Sequence, residues 1–314
     1  SINSGALLNL GGALSRNHEW SLLTFVVRDT DIATSLARDA LTLGESIQSQ
    51  RLRFIERTIS YSQLRFEHKF PGARELTLRW QANFSYGKRD EPDTRDLYYG
   101  GARGMIEWQE QAQSGERFFS ALRDKAGGVA AHFSLPLRRV TMRWGALYQM
   151  TLRDFSSRRF RYVKNPAADP TVFREPPEVL FADENQGPSV RMREATLPAD
   201  AYAAQFLLWG AYAMADIEIR KPVHLILGLR YEGAKQALTN DSPFASGGSA
   251  APNVDRTDHH PVPSVNAVWN LTSKMNLRAA YSYTLTRPKF RELAPFNFYD
   301  FQRQRNFSGN PNLQ

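Results

Sequence analysis

The joints between this chain's alternating segments are by turns very short and very long. Runs of about ten to fifteen residues with period-two alternation of apolar and polar side chains recur along the sequence. Only a few residues, Phe70-Pro71-Gly72-Ala73 among them, lead into the run from Leu76 to Tyr86, whereas a far longer stretch follows it before the next run near 126. Tight turns on one side and large loops on the other belong to barrels that cross an outer membrane. Only every second residue of such a strand meets lipid, so a polar, basic composition is compatible with a bilayer.

The clearest run is Val140 to Arg153. Val140, Met142, Trp144, Ala146, Tyr148, Met150 and Leu152 share one face; Thr141, Arg143, Gly145, Gln149, Thr151 and Arg153 share the other, and Leu147 is the one break. A run this long exceeds the usual soluble strand of about five or six residues. A tilted membrane strand needs about nine to eleven. The runs Leu76–Tyr86, Val129–Leu137, Val223–Tyr231 and Leu277–Leu285 repeat the pattern, with every Arg and Glu on the face opposite the apolar one. A lipid-facing charge near the midplane costs about 2–4 kcal/mol, so this arrangement favours a polar lumen over a soluble sandwich.

About ten strands are expected, near 4–13, 17–30, 52–69, 74–89, 126–137, 139–155, 200–219, 223–238, 260–270 and 275–288. The joints at 14–16, 70–73, 138, 220–222 and 271–274 read as tight turns. Those at 31–51, 90–125, 156–199 and 239–259 read as long loops, as does the tail from 289. The fold class is therefore all-β, an antiparallel transmembrane barrel seen in part.

No stretch approaches eighteen consecutive apolar residues, so no helix spans a bilayer, and the mean hydropathy is −0.48. The absence of Cys removes disulfides and thiolate metal sites. The net charge of +8 raises nucleic acid as a partner, but the basic residues are scattered and no nucleic-acid motif accompanies them. A lumen lined with Arg and loops facing anionic headgroups account for the excess. The start at Ser1-Ile2-Asn3, without Met or an apolar leader, reads as a mature chain or a fragment.

The segment Asn276-Leu277-Arg278-Ala279-Ala280-Tyr281-Ser282-Tyr283-Thr284-Leu285-Thr286-Arg287-Pro288-Lys289-Phe290-Arg291-Glu292-Leu293-Ala294-Pro295-Phe296, followed by Gly309-Asn310-Pro311-Asn312-Leu313, resembles TonB-dependent outer-membrane receptors. So do, in family order, Ile55-Glu56-Arg57-Thr58 with Glu91-Pro92-Asp93-Thr94-Arg95, Gly228-Leu229-Arg230-Tyr231-Glu232 and Pro263-Ser264-Val265-Asn266. The resemblance covers residues from about 50 to the end. It implies a barrel of about 22 strands around a plug. It also implies uptake of a scarce extracellular small molecule, iron-siderophore foremost, driven by the inner-membrane TonB complex. Outer-membrane lipid and lipopolysaccharide would surround the barrel, and a surface lipoprotein is a possible partner. The plug, the TonB box and the closing strands are expected outside residues 1–314. The alternative is an outer-membrane barrel with a structural or assembly role and no ligand.

No catalytic residue and no cofactor is expected. His18, His68, His132 and His224 stand singly, with no spacing for a nucleophile relay, and no phosphate-binding Gly loop is present. Asp255, Asp258, His259 and His260 cluster in a loop where a metal chelate could bind, but adjacent His side chains on an extended segment point to opposite sides, so no metal site is assigned. Arg287, Pro288 and Glu292 read as structural: Pro ends a strand pairing and an Arg–Glu pair pins the loop. Tyr98-Tyr99, Trp108, Phe118-Phe119 and Phe296 to Phe301 enrich the loops in aromatics. They suit stacking on a sugar or catecholate, packing of the loops, or an interfacial girdle. Arg79, Arg143, Arg153, Arg230 and Arg278 on the polar face suit guidance of anionic cargo or pairing with neighbouring carboxylates. The ligand-contacting residues are left unassigned.

Overall fold

The computed structural model describes residues 1–40, 45–102, 105–111, 113–220, 222–240, 244, 251–300 and 305–313. The strands are β1 (Ile2–Ser15), β2 (His18–Ala40), β3 (Glu45–Phe70), β4 (Leu76–Ala102), β5 (Met105–Trp108), β6 (Glu116–Leu137), β7 (Val140–Lys164), β8 (Val190–Glu194), β9 (Ala201–Arg220), β10 (Val223–Asn240), β11 (Val254–Asn270), β12 (Asn276–Ser282), β13 (Asn297–Asp300) and β14 (Arg305–Ser308). One antiparallel sheet runs β1-β2-β3-β4-β6-β7-β9-β10-β11-β12, with β5 added to β4 and β8 to β7; β13 and β14 form a separate hairpin. The ten strands of the path are the ten expected, and they form the wall of a partial barrel. The tight joints all lie at one end.

At the other end the strands run far beyond the expected bounds. β2 continues to Ala40 and β4 to Ala102, β6 begins at Glu116, and β7 continues to Lys164. Much of what reads as loop is therefore strand. Above the membrane both faces are wet, so apolar alternation disappears and charged cross-strand pairs replace it. Arg57 meets Asp29 at 2.8 Å, Arg117 meets Asp93 at 2.8 Å, and Arg158 meets Glu194 at 2.9 Å. β12 is shorter than expected, ending at Ser282 and not near 288. The Tyr283 N–H still reaches the Pro263 carbonyl at 3.1 Å. The reciprocal bond is missing because Pro263 has no N–H, and the ladder stops there.

Register carries the apolar face across the sheet. In one row Leu22, Leu64, Ala82, Val129, Tyr148 and Trp209 are successive cross-strand partners. Two residues nearer the tight turns, the row is Trp20, Phe66, Trp80, Ala131, Ala146, Ala211, Tyr231 and Pro261. Phe84, Val129, Tyr148, Leu227, Leu229, Tyr231, Val265 and Tyr281 are all exposed there. Phe66 stacks on Trp80 with centroids 4.4 Å apart, and Phe133 on Trp144 at 5.4 Å. Trp209 lies over Gly233, its cross-strand partner; a Cβ there would sit 2.4 Å from the indole. Arg79 and Arg143 project from the opposite face, paired with Glu67 at 2.8 Å and Asp216 at 3.7 Å. An exposed, contiguous apolar face opposite a charged one is the pattern of lipid outside and water inside.

The buried apolar side chains gather at the loop end. One cluster joins Tyr99 and Trp108 to Tyr162, Phe173, Leu180 and Val190, and so folds the 165–190 connection into a cap on β4, β5 and β7. A second joins Phe155, Tyr202, Ala204, Leu238 and Val254 to Phe290, Leu293 and Ala294. That cluster seats the segment after β12 against the inner wall.

Candidate functional site

A cavity of about 510 Å³ opens on the inner face at the loop end. The wall side presents Arg51, Arg53, Arg57, Arg89, Arg153 and Arg159, with Glu91, Asp96 and Glu116 among them and Phe118, Phe155 and Tyr202 between. The opposite side is a strap, residues 287–300, which contributes Arg291, Ala294, Phe296, Phe298 and Tyr299.

Period two places the wall arginines. Arg53 and Arg57 alternate on β3, and Arg153 and Arg159 lie on the inward parity of β7, so the guanidinium groups converge on one side of the sheet. Each wall arginine is tethered. Arg51 makes a forked pair with Asp96 (2.6 and 2.5 Å), and Arg153 one with Asp124 (2.7 and 2.6 Å). Arg53 meets Asp31 at 2.9 Å and Arg89 meets Glu91 at 2.6 Å. Arg53 Nε is buried and has no hydrogen-bond partner among the described residues. Arg159 binds Asp200 through Nε at 3.0 Å and Glu116 through Nη1 at 3.1 Å. Its Nη2 donates to the backbone carbonyl of Asn297 at 2.6 Å, and its guanidinium lies 4.8 Å from the Phe118 ring and 5.2 Å from that of Phe296. Among the described residues Arg291 has no carboxylate partner; it stacks on Phe298 at 3.9 Å. Forks of this kind hold guanidinium groups in fixed planes, which suits recognition of carboxylate-like oxyanions.

Burial pushes the Asp96 carboxyl above its ordinary range against the pull of Arg51, and it does the same to Glu116 against Arg159. Asp93 differs. Desolvation pushes it up, but Arg117 and Arg95 together hold it below the ordinary range.

The strap is fastened by side chains, not by pairing with the sheet. At its start Arg287 binds Asp258 at 2.7 Å and Glu232 at 2.9 Å. The Gln236 side-chain amide donates to the Pro288 carbonyl at 2.8 Å, and the Tyr98 and Tyr299 hydroxyls meet at 2.7 Å. Gly309-Asn310 packs on the turn Phe290–Leu293. The Asn310 N–H donates to the Glu292 carbonyl at 2.7 Å, and a Cβ on Gly309 would lie 2.2 Å from the Ala294 carbonyl oxygen. The two halves of the motif thus hold each other, and only Gly allows that approach.

Several expected residues fall into place here. Arg287 does pin the segment, with Asp258 and Glu232 as its carboxylates; Glu292 instead accepts the Lys289 N–H at 2.8 Å. The Asp255, Asp258, His259 and His260 group is not brought together. Asp258 is held by Arg287, His260 is on its side at 3.6 Å, and His259 turns to the lipid face against Trp209 and Tyr231. Asp255 meets Lys235 at 3.5 Å. Tyr99 and Trp108 are packing residues. Phe118 and Phe296 line the cavity, whereas Phe119 packs on Phe160. Phe301 lies outside the described residues. Of the five arginines expected on the polar face only Arg153 reaches the cavity; Arg230 pairs with Glu232 at 2.6 Å. His18 and His68 are cross-strand neighbours, Nδ1 to Nδ1 at 3.0 Å, and His132 meets the Tyr212 hydroxyl at 3.0 Å. Arg51, Arg53, Arg57, Arg89, Arg159, Asp96 and Glu116 escape sequence reasoning. The one available signal was the alternation Arg51-Leu52-Arg53, which straddles the expected boundary between the loop at 31–51 and the strand at 52–69.

The family model described as TonB dependent receptor-like, beta-barrel matches residues 8–314. Among solved structures, the unliganded ferric citrate transporter FecA shares 12% identity at a TM-score of 0.47, over 88% of this chain and 41% of its own. The alcaligin outer-membrane receptor FauA from Bordetella pertussis shares 12% at 0.43, over 89% and 41%. The ferric-catecholate import receptor Fiu from E. coli K12, in its open form, shares 12% at 0.42, over 89% and 52%. The chain thus spans about two fifths to half the length of these receptors. No curated protein matches it. The chain belongs to the TonB-dependent receptor family, as part of the β-barrel domain by which these receptors sit in the bacterial outer membrane.

Proposed function

We propose that this chain forms part of the lumenal wall of an outer-membrane receptor for TonB-dependent active uptake. Its cargo is a scarce nutrient carried as an anionic chelate, iron-siderophore in the first instance. A plug, a TonB box and closing strands supplied outside these residues complete the receptor, and the inner-membrane TonB complex provides the energy. The process is binding and translocation, with no bond made or broken. The observation that carries the reading is the pairing of an apolar outer belt with a cavity of forked guanidinium groups and aromatic rings at the loop end of the inner face. Rigid guanidinium planes recognise flat oxyanions, and the wall rings Phe118, Phe155 and Tyr202 give apolar contact to a chelating group.

The test is uptake of radioactive iron, as citrate, tris-catechol and tris-hydroxamate chelates, by cells carrying the intact receptor. Uptake of an anionic chelate should stop when the inner-membrane TonB complex is deleted, while surface binding persists. Uptake that continues without that complex, or a receptor that binds none of the chelates, refutes the reading.

A further inference from the structure

The strap and the cavity share one residue. Arg159 turns two of its three nitrogens to the wall, Nε to Asp200 and Nη1 to Glu116, and the third, Nη2, to the strap's Asn297 carbonyl at 2.6 Å. Its faces lie against Phe118 of the wall and Phe296 of the strap. The Phe296 ring also packs edge-on against Phe155, with centroids 4.8 Å apart. A backbone carbonyl is a neutral acceptor at a position where a guanidinium bonds more strongly to an oxyanion. The remaining backbone hydrogen bonds of the Lys289–Ala294 turn are internal or run to Asn310. The strap's tip, Phe296 to Tyr299, can therefore leave the wall without breaking the sheet: it gives up the Tyr98–Tyr299 hydroxyl contact, while Phe290, Leu293 and Ala294 stay in their buried cluster.

We propose that Arg159 is a shared seat. It holds the strap when the cavity is empty of ligand, and it holds a carboxylate or phenolate oxygen of the ligand when the cavity is filled. Ligand entry and strap release are then one exchange: the oxyanion takes Nη2 from the Asn297 carbonyl and Phe296 leaves the guanidinium face. The hinge end stays fixed by Arg287, whose partners Asp258 and Glu232 lie on β11 and β10, outside the cavity lining. Arg159 is thus a specificity-determining residue for anionic chelates and the point where binding moves the strap. This inference rests on the uptake reading and assigns a specific event to its site.

Two variants of the intact receptor separate this role from a merely structural one. Phe296→Ala loosens the strap and leaves Arg159 intact, so it removes a competitor. Ferric citrate should bind about tenfold more tightly if the strap is seated in about nine molecules of ten. Arg159→Gln loosens the strap and removes the oxyanion's partner, so affinity should fall about 10- to 100-fold, the worth of one charge-assisted contact. A nitroxide on Ser308→Cys reports the strap directly; residues 1–314 contain no other cysteine. Saturating ferric citrate should mobilise that label, and a neutral ferric tris-hydroxamate should not. Affinity shifts of the same sign in both variants, or ferric citrate bound with the label still immobile, overturn the exchange and leave the uptake reading standing. An intact wild-type receptor that neither binds nor transports any of the chelates refutes the uptake reading, and this inference with it.

Discussion

Ala146 tests whether lipid lies outside the sheet. On β7 and β6 the outward rows, from the tight turns upward, are Leu135–Met142, Phe133–Trp144, Ala131–Ala146, Val129–Tyr148 and Gly127–Met150. Rows two residues apart lie about 6.6 Å apart along a strand, or about 4.7 Å in membrane depth at a tilt of about 45°. Ala146 sits in the third of the five rows, about 9 Å from either end of the belt and close to the midplane. Ala146→Arg should therefore destabilise the folded barrel by about 2–4 kcal/mol, a factor of about 30 to 900 in the folding equilibrium. Leu147→Arg supplies the same charge one residue along, on the wet parity opposite Ala130 and Gly210, where small neighbours leave room. It should stay within about 0.5 kcal/mol. The assay is urea titration of the intact receptor in lipid vesicles, with the folded fraction read from heat-modifiable gel mobility. Equal losses from the two variants, or a larger loss from Leu147→Arg, would refute the assignment of faces.

Three further outcomes are expected. Arg287→Ala leaves the carboxylates of Asp258 and Glu232, 15% and 16% exposed, without their main partner; local docking of the strap should weaken by about 2–3 kcal/mol, somewhat below the full cost of breaking a buried pair because Arg230 and Arg256 remain nearby. Trypsin cleavage at Lys289 and Arg291 of the intact receptor should rise about 30- to 150-fold, while the barrel's urea midpoint stays put. Gly233→Val drives the Trp209 indole off the strand and should cost about 1–3 kcal/mol in the same urea titration, against a near-neutral Gly72→Ala, where a Cβ meets nothing. Because burial raises the carboxyls of Asp96 and Glu116, their charge penalises the folded loop end above the raised values, and the penalty vanishes once pH falls below the ordinary carboxylate range. Protonating Glu116 also removes a charge partner of Arg159, so ferric citrate should bind more tightly as pH falls through the raised Glu116 value; Glu116→Gln should flatten that trend, and the difference between the two receptors cancels the chelate's own titration.

How far such a chain can be read from sequence depends on where the bilayer acts. Within the belt, lipid on one face and water on the other impose period two residue by residue, so ten strands and the lipid parity of Trp80, Trp144, Tyr148 and Tyr281 are legible. Beyond it the constraint lapses. Arg51 falls in what reads as a loop, and Arg53 and Arg57 stand at the weakly alternating start of an expected strand, although all three lie on one continuous strand. Ion pairs divide by the length of the joint. The turn between β6 and β7 is so tight that Leu137 faces Val140, and that closure alone sets Asp124 opposite Arg153. Two of the three Arg159 partners lie across long connections: Asp200 follows the folded 165–190 cap, and Asn297 belongs to a hairpin that has no register with the sheet. Alternation says which side of the wall an arginine occupies. Only a short hairpin says which carboxylate it meets, so the cavity, built where the connections are longest, is the part of the molecule that a single sequence hides.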